Sequence, residues 1–113
     1  MSIEIRILRA GEEAVLAKVA PDVFGCPIDA AGARSFLRDP RLHLAVAIDA
    51  GVVVGFASGV HYHHPDKPVP ELFVDEIGVA PTPQRQGLAS AVLGALFERA
   101  RELGCGEAWV LTD

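Results

Sequence analysis

The residues best suited to chemistry lie in one stretch of the chain, between positions 73 and 89. An acidic but otherwise apolar run, Phe73-Val74-Asp75-Glu76-Ile77-Gly78-Val79, leads into Gln84-Arg85-Gln86-Gly87-Leu88-Ala89. The first run alternates like a β-strand, and the second opens a long segment with helical periodicity. Backbone N–H groups at a helix N-terminus bind anions, and a glycine there lets a phosphate approach closely. The stretch therefore predicts a strand–turn–helix site for a phosphate or pyrophosphate group.

The spacing of the glycines narrows the kind of anion site. The chain carries neither the G-x-G-x-x-G dinucleotide fingerprint nor the G-x-x-x-x-G-K-[ST] phosphate loop. It does carry Gln84-x-x-Gly87-x-Ala89, which resembles the [QR]-x-x-G-x-[GA] motif of the GNAT superfamily of N-acetyltransferases. In that superfamily the motif holds the pyrophosphate of coenzyme A, so the resemblance implies acetyl-CoA as co-substrate. The alternative is that Gly87 is only a turn glycine ahead of a surface helix.

The resemblance also implies roles for individual residues. Glu76 matches the position of the acidic residue in the aminoglycoside branch of the superfamily and is the expected general base, with Asp75 in reserve. The backbone amides of Ile77, Gly78 and Val79 would hold the pantetheine arm. The pyrophosphate would lie on the following residues: Gln84, Arg85, Gln86, Gly87, Leu88 and Ala89.

The two adjacent acids are expected to point to opposite sides of the sheet, because side chains alternate along a strand. A strictly alternating strand gives one face to Leu72, Val74, Glu76 and Gly78. The other face then takes Phe73, Asp75, Ile77 and Val79. We expect Glu76 to be partly buried.

Composition restricts the class of protein. The 113 residues form one domain, 50% hydrophobic and 22% charged, with no internal repeat. A net charge of -5 argues against a nucleic-acid partner, and no apolar run reaches membrane-spanning length. The N-terminus does not read as a signal peptide, so a cytoplasmic location is expected, with Cys26 and Cys105 as buried or free thiols.

The remaining elements follow from periodicity and from turn residues. A first strand over Ile3–Leu8 precedes a helix from Gly11 that Pro21 bounds, and Asp29 is the expected N-cap of a second helix. The predicted ranges are helix 30–38, strands 42–48 and 52–60 joined by Asp49-Ala50-Gly51, strand 71–79, helix 86–103 and strand 108–111. The order β-α-α-β-β-β-α-β predicts an α/β (α+β) fold with a mixed, mostly antiparallel sheet flanked by helices.

The loop after the third strand is the most polar and aromatic part of the chain. We expect His61, Tyr62, His63 and Asp66 to line the acceptor side of the site. Three histidines in four positions suggest a metal, but the loop offers no regular spacing that would make them converge. No metal site is predicted.

The element order resembles the N-terminal and central part of the GNAT fold, truncated after the fifth strand. Family members continue into a further helix and strands that carry a tyrosine acid, and Tyr62 does not match its position. The chain would then be an incomplete piece, be completed by a partner chain such as a second copy, or release the thiolate without a tyrosine. The motifs are most similar to those of aminoglycoside 3-N-acetyltransferases.

The predicted function is therefore acetyl transfer from acetyl-CoA to a primary amine of a small molecule, with an aminoglycoside as the suggested acceptor. Two alternatives remain open from the sequence. One is a non-catalytic coenzyme A binding domain, and the other is a fragment that associates through an open sheet edge.

Overall fold

A computed structural model describes residues 3–110, and within them the predicted order of elements is confirmed with one change. The strands are β1 (Ile3–Ile7), β2 (Leu42–Asp49), β3 (Val52–Tyr62), β4 (Glu71–Val79) and β5 (Glu107–Val110). The α-helices are α1 (Ala30–Arg38) and α2 (Arg85–Glu102). Leu111, which the sequence assigns to the fifth strand, lies outside the described residues.

The change concerns the predicted first helix. Only a short 3-10 helix forms, over Glu13–Ala17. The chain after it is extended and runs alongside β3, where the Val53 N–H donates to Lys18 O and the Ala20 N–H donates to Val53 O, both at 2.9 Å. This side of β3 is open because β4 ends at Val79, so pairing with the strand replaces the last turns of the helix.

The sheet order is β1-β2-β3-β4-β5, with antiparallel pairs except between β4 and β5, which are parallel. The β2–β3 turn places Ala50 at φ 51° and Gly51 at φ 80°. The predicted tight turn is therefore confirmed, and two consecutive positive φ angles identify it as type I′. Helix α1 also begins where predicted, because the Asp29 carboxylate accepts a hydrogen bond from Gly32 N–H at 2.8 Å.

Two hydrophobic cores lie on opposite faces of the sheet. On one face, α2 packs through its buried row Leu88, Val92, Leu96 and Ala100. On the other face, α1 and the 3-10 helix cover Val46, Val53 and Phe56. Helix α2 ends at Glu102 with Leu103 as its C-cap, and Gly104, at φ 80°, reverses the chain toward β5.

The alternation expected for β4 fails at Asp75. Ser58 of β3 pairs with Glu76, and its neighbour Gly59 pairs with Val74, so Asp75 has no partner in β3. A β-bulge of this kind inserts one residue and exchanges the faces of all residues that follow it. The prediction that Leu72, Val74, Glu76 and Gly78 share one face is therefore wrong. Leu72, Val74 and Val79 lie in the core under α2, while Glu76 and Gly78 face α1.

A buried carboxylate ties β5 to the rest of the sheet. Glu71, which is 4% exposed, accepts hydrogen bonds from Lys67 Nζ at 2.8 Å and Trp109 Nε1 at 2.9 Å, and lies 3.1 Å from His64 Nε2. The bonds from Lys67, Trp109 and His64 lower the pKa of Glu71 to about 2. One side chain therefore connects β4, β5 and the loop between β3 and β4.

β5 is an edge strand within the described residues, and Trp109 and Val110 on it are exposed. Pairing of this edge with a second copy stays a prediction. None of the described helices combines the length and the apolar character needed to cross a membrane.

Candidate functional site

The site is built where β4 ends and α2 begins. Here the Arg85 N–H donates to Thr82 O at 3.0 Å and the Leu88 N–H donates to Gln84 O at 2.9 Å. The amides of Gln84, Gln86 and Gly87 have no acceptor among the described residues. Free N–H groups at the positive end of an 18-residue helix form a site for a negatively charged group.

Gly87 is a glycine that the fold itself does not require. Apart from adjacent residues and the backbone of its own helix, no atom of the described chain lies within 4 Å of the position that a Cβ would take there, and its φ is not positive. By contrast, a Cβ on Gly78 would overlap the carbonyl oxygen of Val23 and lie 2.6 Å from Phe56 Cε1. Packing therefore explains why residue 78 is a glycine. At Gly87, a ligand would occupy the open space beside the free amides.

The free edge of β4 supplies further donors. The Ala80 N–H donates to Val54 O on the β3 side at 2.9 Å, and successive amides of a strand alternate sides. The amide of Gly78 therefore points toward β3, as that of Ala80 does, so the expectation that it holds the pantetheine arm is wrong. The amides of Ile77 and Val79 point away from β3. Within the described residues β5 pairs with β4 only as far as Val74, so these two amides lie on an unpaired edge.

This edge and the helix start share one cavity of about 760 Å³, here called the junction cavity. It brings together most of the predicted coenzyme A residues. Its lining consists of Asp22 to Gly25, Ile77 to Val79, Arg85, Gln86 and Ala89. Of the others, Gln84 is the helix N-cap, Gly87 is exposed, and the Leu88 side chain is buried against the sheet, so Leu88 could act only through its backbone.

A second cavity of about 390 Å³, here called the apolar cavity, lies between α1 and the sheet. Glu76 and its β3 partner Ser58 lie in its wall, so the bulge at Asp75 is what points Glu76 into it. Phe24 and Gly25 line both cavities. The expectation of a partly buried Glu76 is wrong, because the residue is exposed to the cavity opening. Asp75 lines neither cavity.

The histidine loop lies elsewhere. His61 and Tyr62 end β3, His63 and Asp66 follow in the loop, and none of the four lines either cavity. From Ser58 to Tyr62 the strand advances by roughly 13 Å. The structure does not bring these residues to Glu76, and their substrate role stays a prediction without geometric support.

The histidines make contacts of another kind. His43 is buried, and its Nε2 atom lies 2.7 Å from the Nδ1 atom of His61. Burial, followed by the charges of His61 and Arg99, lowers the pKa of His43 to about 4. Among residues 3–110 there is no cluster of three or more side chains arranged to bind a metal.

Sequence reasoning missed the segment that the two cavities share and the aromatic lining of the apolar cavity. The sequence analysis assigned no functional role to Phe24, Gly25, Phe36 or Phe56. A phenylalanine in a loop between Pro21 and Pro27 was the available signal, because such loops are normally polar. Ser58 could be found only from the β3–β4 register, which the bulge sets.

A model of the acetyltransferase (GNAT) family matches residues 13–113. The chain belongs to the GNAT family of acetyltransferases. A search of curated proteins finds no significant match. Family membership supports acetyltransferase activity and explains the free amides at the start of α2, because the GNAT motif lies there.

Solved structures agree with the GNAT fold. An aminoglycoside acetyltransferase from an uncultured soil metagenomic sample is 22% identical with a TM-score of 0.81, covering 100% of this chain and 81% of that one. Aminoglycoside N-acetyltransferase AAC(6')-Iy, solved with coenzyme A, is 26% identical with a TM-score of 0.74, covering 99% and 78%. A ribosomal-protein-alanine N-acetyltransferase from Brucella melitensis biovar Abortus 2308 is 21% identical with a TM-score of 0.75, covering 99% and 81%.

Proposed function

We propose that this chain transfers an acetyl group from acetyl-CoA to a primary amine of a small molecule. The observation that carries the proposal is the meeting of two cavities at Phe24 and Gly25. One has free helix amides suited to a pyrophosphate, and the other has a carboxylate suited to an ammonium group. A donor and an acceptor bound in them would meet beside residues 76 and 77.

The residues present fit coenzyme A. Amides of Gln84, Gln86 and Gly87 would hold the pyrophosphate, with Arg85 adding positive charge beside it. The edge amides of Ile77 and Val79 would bind the pantetheine arm and donate to the thioester oxygen, where negative charge develops. Acetyl-CoA supplies an acetyl group activated as a thioester.

Glu76 acts on the amine. An amine binds as an ammonium ion, and its nitrogen can attack only after losing a proton, which Glu76 accepts and passes to solvent. A carbon–nitrogen bond then forms as the carbon–sulfur bond breaks. The second proton that the nitrogen loses ends on the departing thiol, so charge and atoms balance.

The similar structures suggest an acceptor. Two of them are aminoglycoside acetyltransferases, and one of these is solved with coenzyme A. An aminoglycoside amine is therefore a candidate acceptor, and the 3-amino group is the position that the sequence motifs favour. Analysis of the acetylated product would distinguish this amine from others on the same molecule.

Calorimetric titration with acetyl-CoA tests the donor site. Wild type should bind, whereas Gly87→Leu should lose most of the affinity because its side chain fills the open space beside the amides. Gly94→Leu is the matched control, since Gly94 lies in the same helix and also has no neighbour within 4 Å of its Cβ position. Equal binding by wild type and Gly87→Leu would contradict the pyrophosphate assignment. Binding without turnover of any amine would identify a non-catalytic coenzyme A domain instead.

A further inference from the structure

The wall of the apolar cavity is formed mostly by apolar side chains. Three of the five phenylalanines of the chain, Phe24, Phe36 and Phe56, line it, together with Leu16 and Leu44. Phe24 and Phe56 stack with ring centroids 3.9 Å apart and planes 15° from parallel. The cavity thus presents aromatic surface on the side of the sheet that faces α1.

The apolar cavity is lined by few charged side chains. Of the fourteen lining residues only Asp29 and Glu76 are charged. The Asp29 carboxylate already accepts a hydrogen bond from Gly32 N–H as the cap of α1. Within the described part of the chain, Glu76 makes no hydrogen bond or ion pair. Glu76, with the Ser58 hydroxyl opposite it, is therefore the carboxylate of this cavity with both oxygens free of partners among residues 3–110.

We propose that the preferred acceptor is a primary monoamine with an apolar, ring-containing body. This inference rests on the proposed acetyl transfer to a primary amine, and it favours this class of acceptor over the aminoglycoside that the similar structures suggest. The ammonium lies between Glu76 and Ser58, and the ring packs among Phe24, Phe36 and Phe56. A polyamine covered with hydroxyl groups would bring further charges and donors against a mostly apolar wall that offers few partners for them, which costs free energy for each one left unpaired.

Binding can be measured without turnover, by titrating amines into the protein saturated with coenzyme A, which carries no acetyl group. The probes are 2-phenylethylamine, ethanolamine and the aminoglycoside sisomicin. We expect 2-phenylethylamine to bind at least about tenfold more tightly than ethanolamine, since the two share an ammonium and differ in apolar body. Sisomicin should bind no more tightly than ethanolamine.

Variants locate the ring. Phe36 is half-buried on α1, and Phe36→Ser should remove most of the preference for 2-phenylethylamine while leaving ethanolamine binding unchanged. Phe36→Leu keeps apolar packing and is the second variant if Phe36→Ser fails to fold; it should weaken 2-phenylethylamine alone. Phe97→Ser makes the same change at a half-buried position of α2 on the opposite face and should alter neither amine.

The outcomes separate the acceptor from the reaction. Tighter binding of sisomicin than of 2-phenylethylamine, or equal binding of 2-phenylethylamine and ethanolamine, overturns the inference. Acetyl transfer is then measured separately with acetyl-CoA. Selective amine binding with no transfer supports the inference about the acceptor and overturns the proposed function. Transfer that prefers sisomicin leaves the function standing and overturns the acceptor class.

Discussion

At the scale of single residues, the assignment of Glu76 as base makes a direct prediction. Glu76→Gln keeps the size of the side chain but cannot accept a proton. We expect kcat/KM for the amine to fall by roughly 10²–10⁴ at neutral pH, the usual contribution of a general base. The affinity for acetyl-CoA should not change, because Glu76 lies outside the junction cavity.

Asp75→Asn is the matched control for this measurement. Asp75 lies at the bulge and lines neither cavity, so its substitution should leave the rate close to wild type. A loss of rate in Asp75→Asn together with normal turnover in Glu76→Gln would exchange the roles of the two acids.

Gly78 carries a prediction about stability. A methyl group there must displace the Val23 carbonyl or the Phe56 ring, so Gly78→Ala should destabilise the fold by about 1–3 kcal/mol, as overpacking does elsewhere. Urea unfolding measures the change. Gly94→Ala, in an open position of α2, should instead stabilise the protein by up to about 1 kcal/mol. An unchanged midpoint for Gly78→Ala would show that the Val23 segment yields freely.

At the scale of elements, the β2–β3 hairpin is held in a turn that its sequence does not favour. Ala50 has a positive φ, which disfavours every residue with a Cβ, and Asn tolerates it best. Ala50→Asn should therefore stabilise the protein by about 1 kcal/mol in chemical unfolding. Ala50→Val should move the midpoint the other way, and a destabilised Ala50→Asn would contradict the type I′ turn.

Glu71 carries a second prediction about how the elements are held together, because it joins β4, β5 and the loop between β3 and β4. Glu71→Gln removes the charge that Lys67 requires and should lower the thermal midpoint by several degrees. Proteolysis should become faster first in the loop 63–70, since its contact to the sheet is weakened. Lys67→Met removes only an exposed partner, so it should lower the thermal midpoint by less than Glu71→Gln does.

How much of these elements the sequence predicts depends on whether their signals are local. Helix α1 could be placed to the residue, because Asp29 caps its own helix and Asp39-Pro40 ends it. Helix α2 and the anion site at its start also followed from local pattern and glycine spacing. These features need only neighbours in sequence.

The bulge in β4 could not be predicted in the same way. Leu72, Val74 and Glu76 form an unbroken alternation in sequence, and either face could take the acid. What decides the face is the register with β3, which depends on contacts between distant parts of the chain. The predicted length of the first helix was wrong for the same reason. Its last residues form hydrogen bonds to β3 instead, and a prediction from local sequence cannot include such contacts.

At the scale of the whole molecule, two buried side chains, His43 and Glu71, contribute to the dependence of stability on pH, and burial also lowers the pKa of His61 beside His43. Folding lowers the pKa of His43 from 6.5 to about 4. Between pH 6.5 and pH 4, therefore, His43 is protonated in the unfolded chain and neutral in the folded chain. Its contribution is present above pH 6.5 and is lost as the pH falls toward 4. For Glu71, whose pKa falls from 4.5 to about 2, the contribution is lost below pH 4.5.

We therefore expect the free energy of unfolding to decline in two stages, from pH 6.5 to 4 and again below pH 4.5. Urea unfolding across this range measures both. His43→Gln should flatten the first stage and leave the second, while Glu71→Gln should do the reverse. A first stage that persists in His43→Gln would assign it to other groups.

The wall formed by Phe24 and Gly25 belongs to both cavities, and this has a thermodynamic consequence. A donor that fixes this segment also fixes one side of the acceptor cavity, so the two occupants share a free energy of coupling. Such coupling is reciprocal: whatever factor coenzyme A adds to the affinity for an amine, the amine must add to the affinity for coenzyme A. The order in which the two partners arrive would then change the path and not the final stability of the ternary complex.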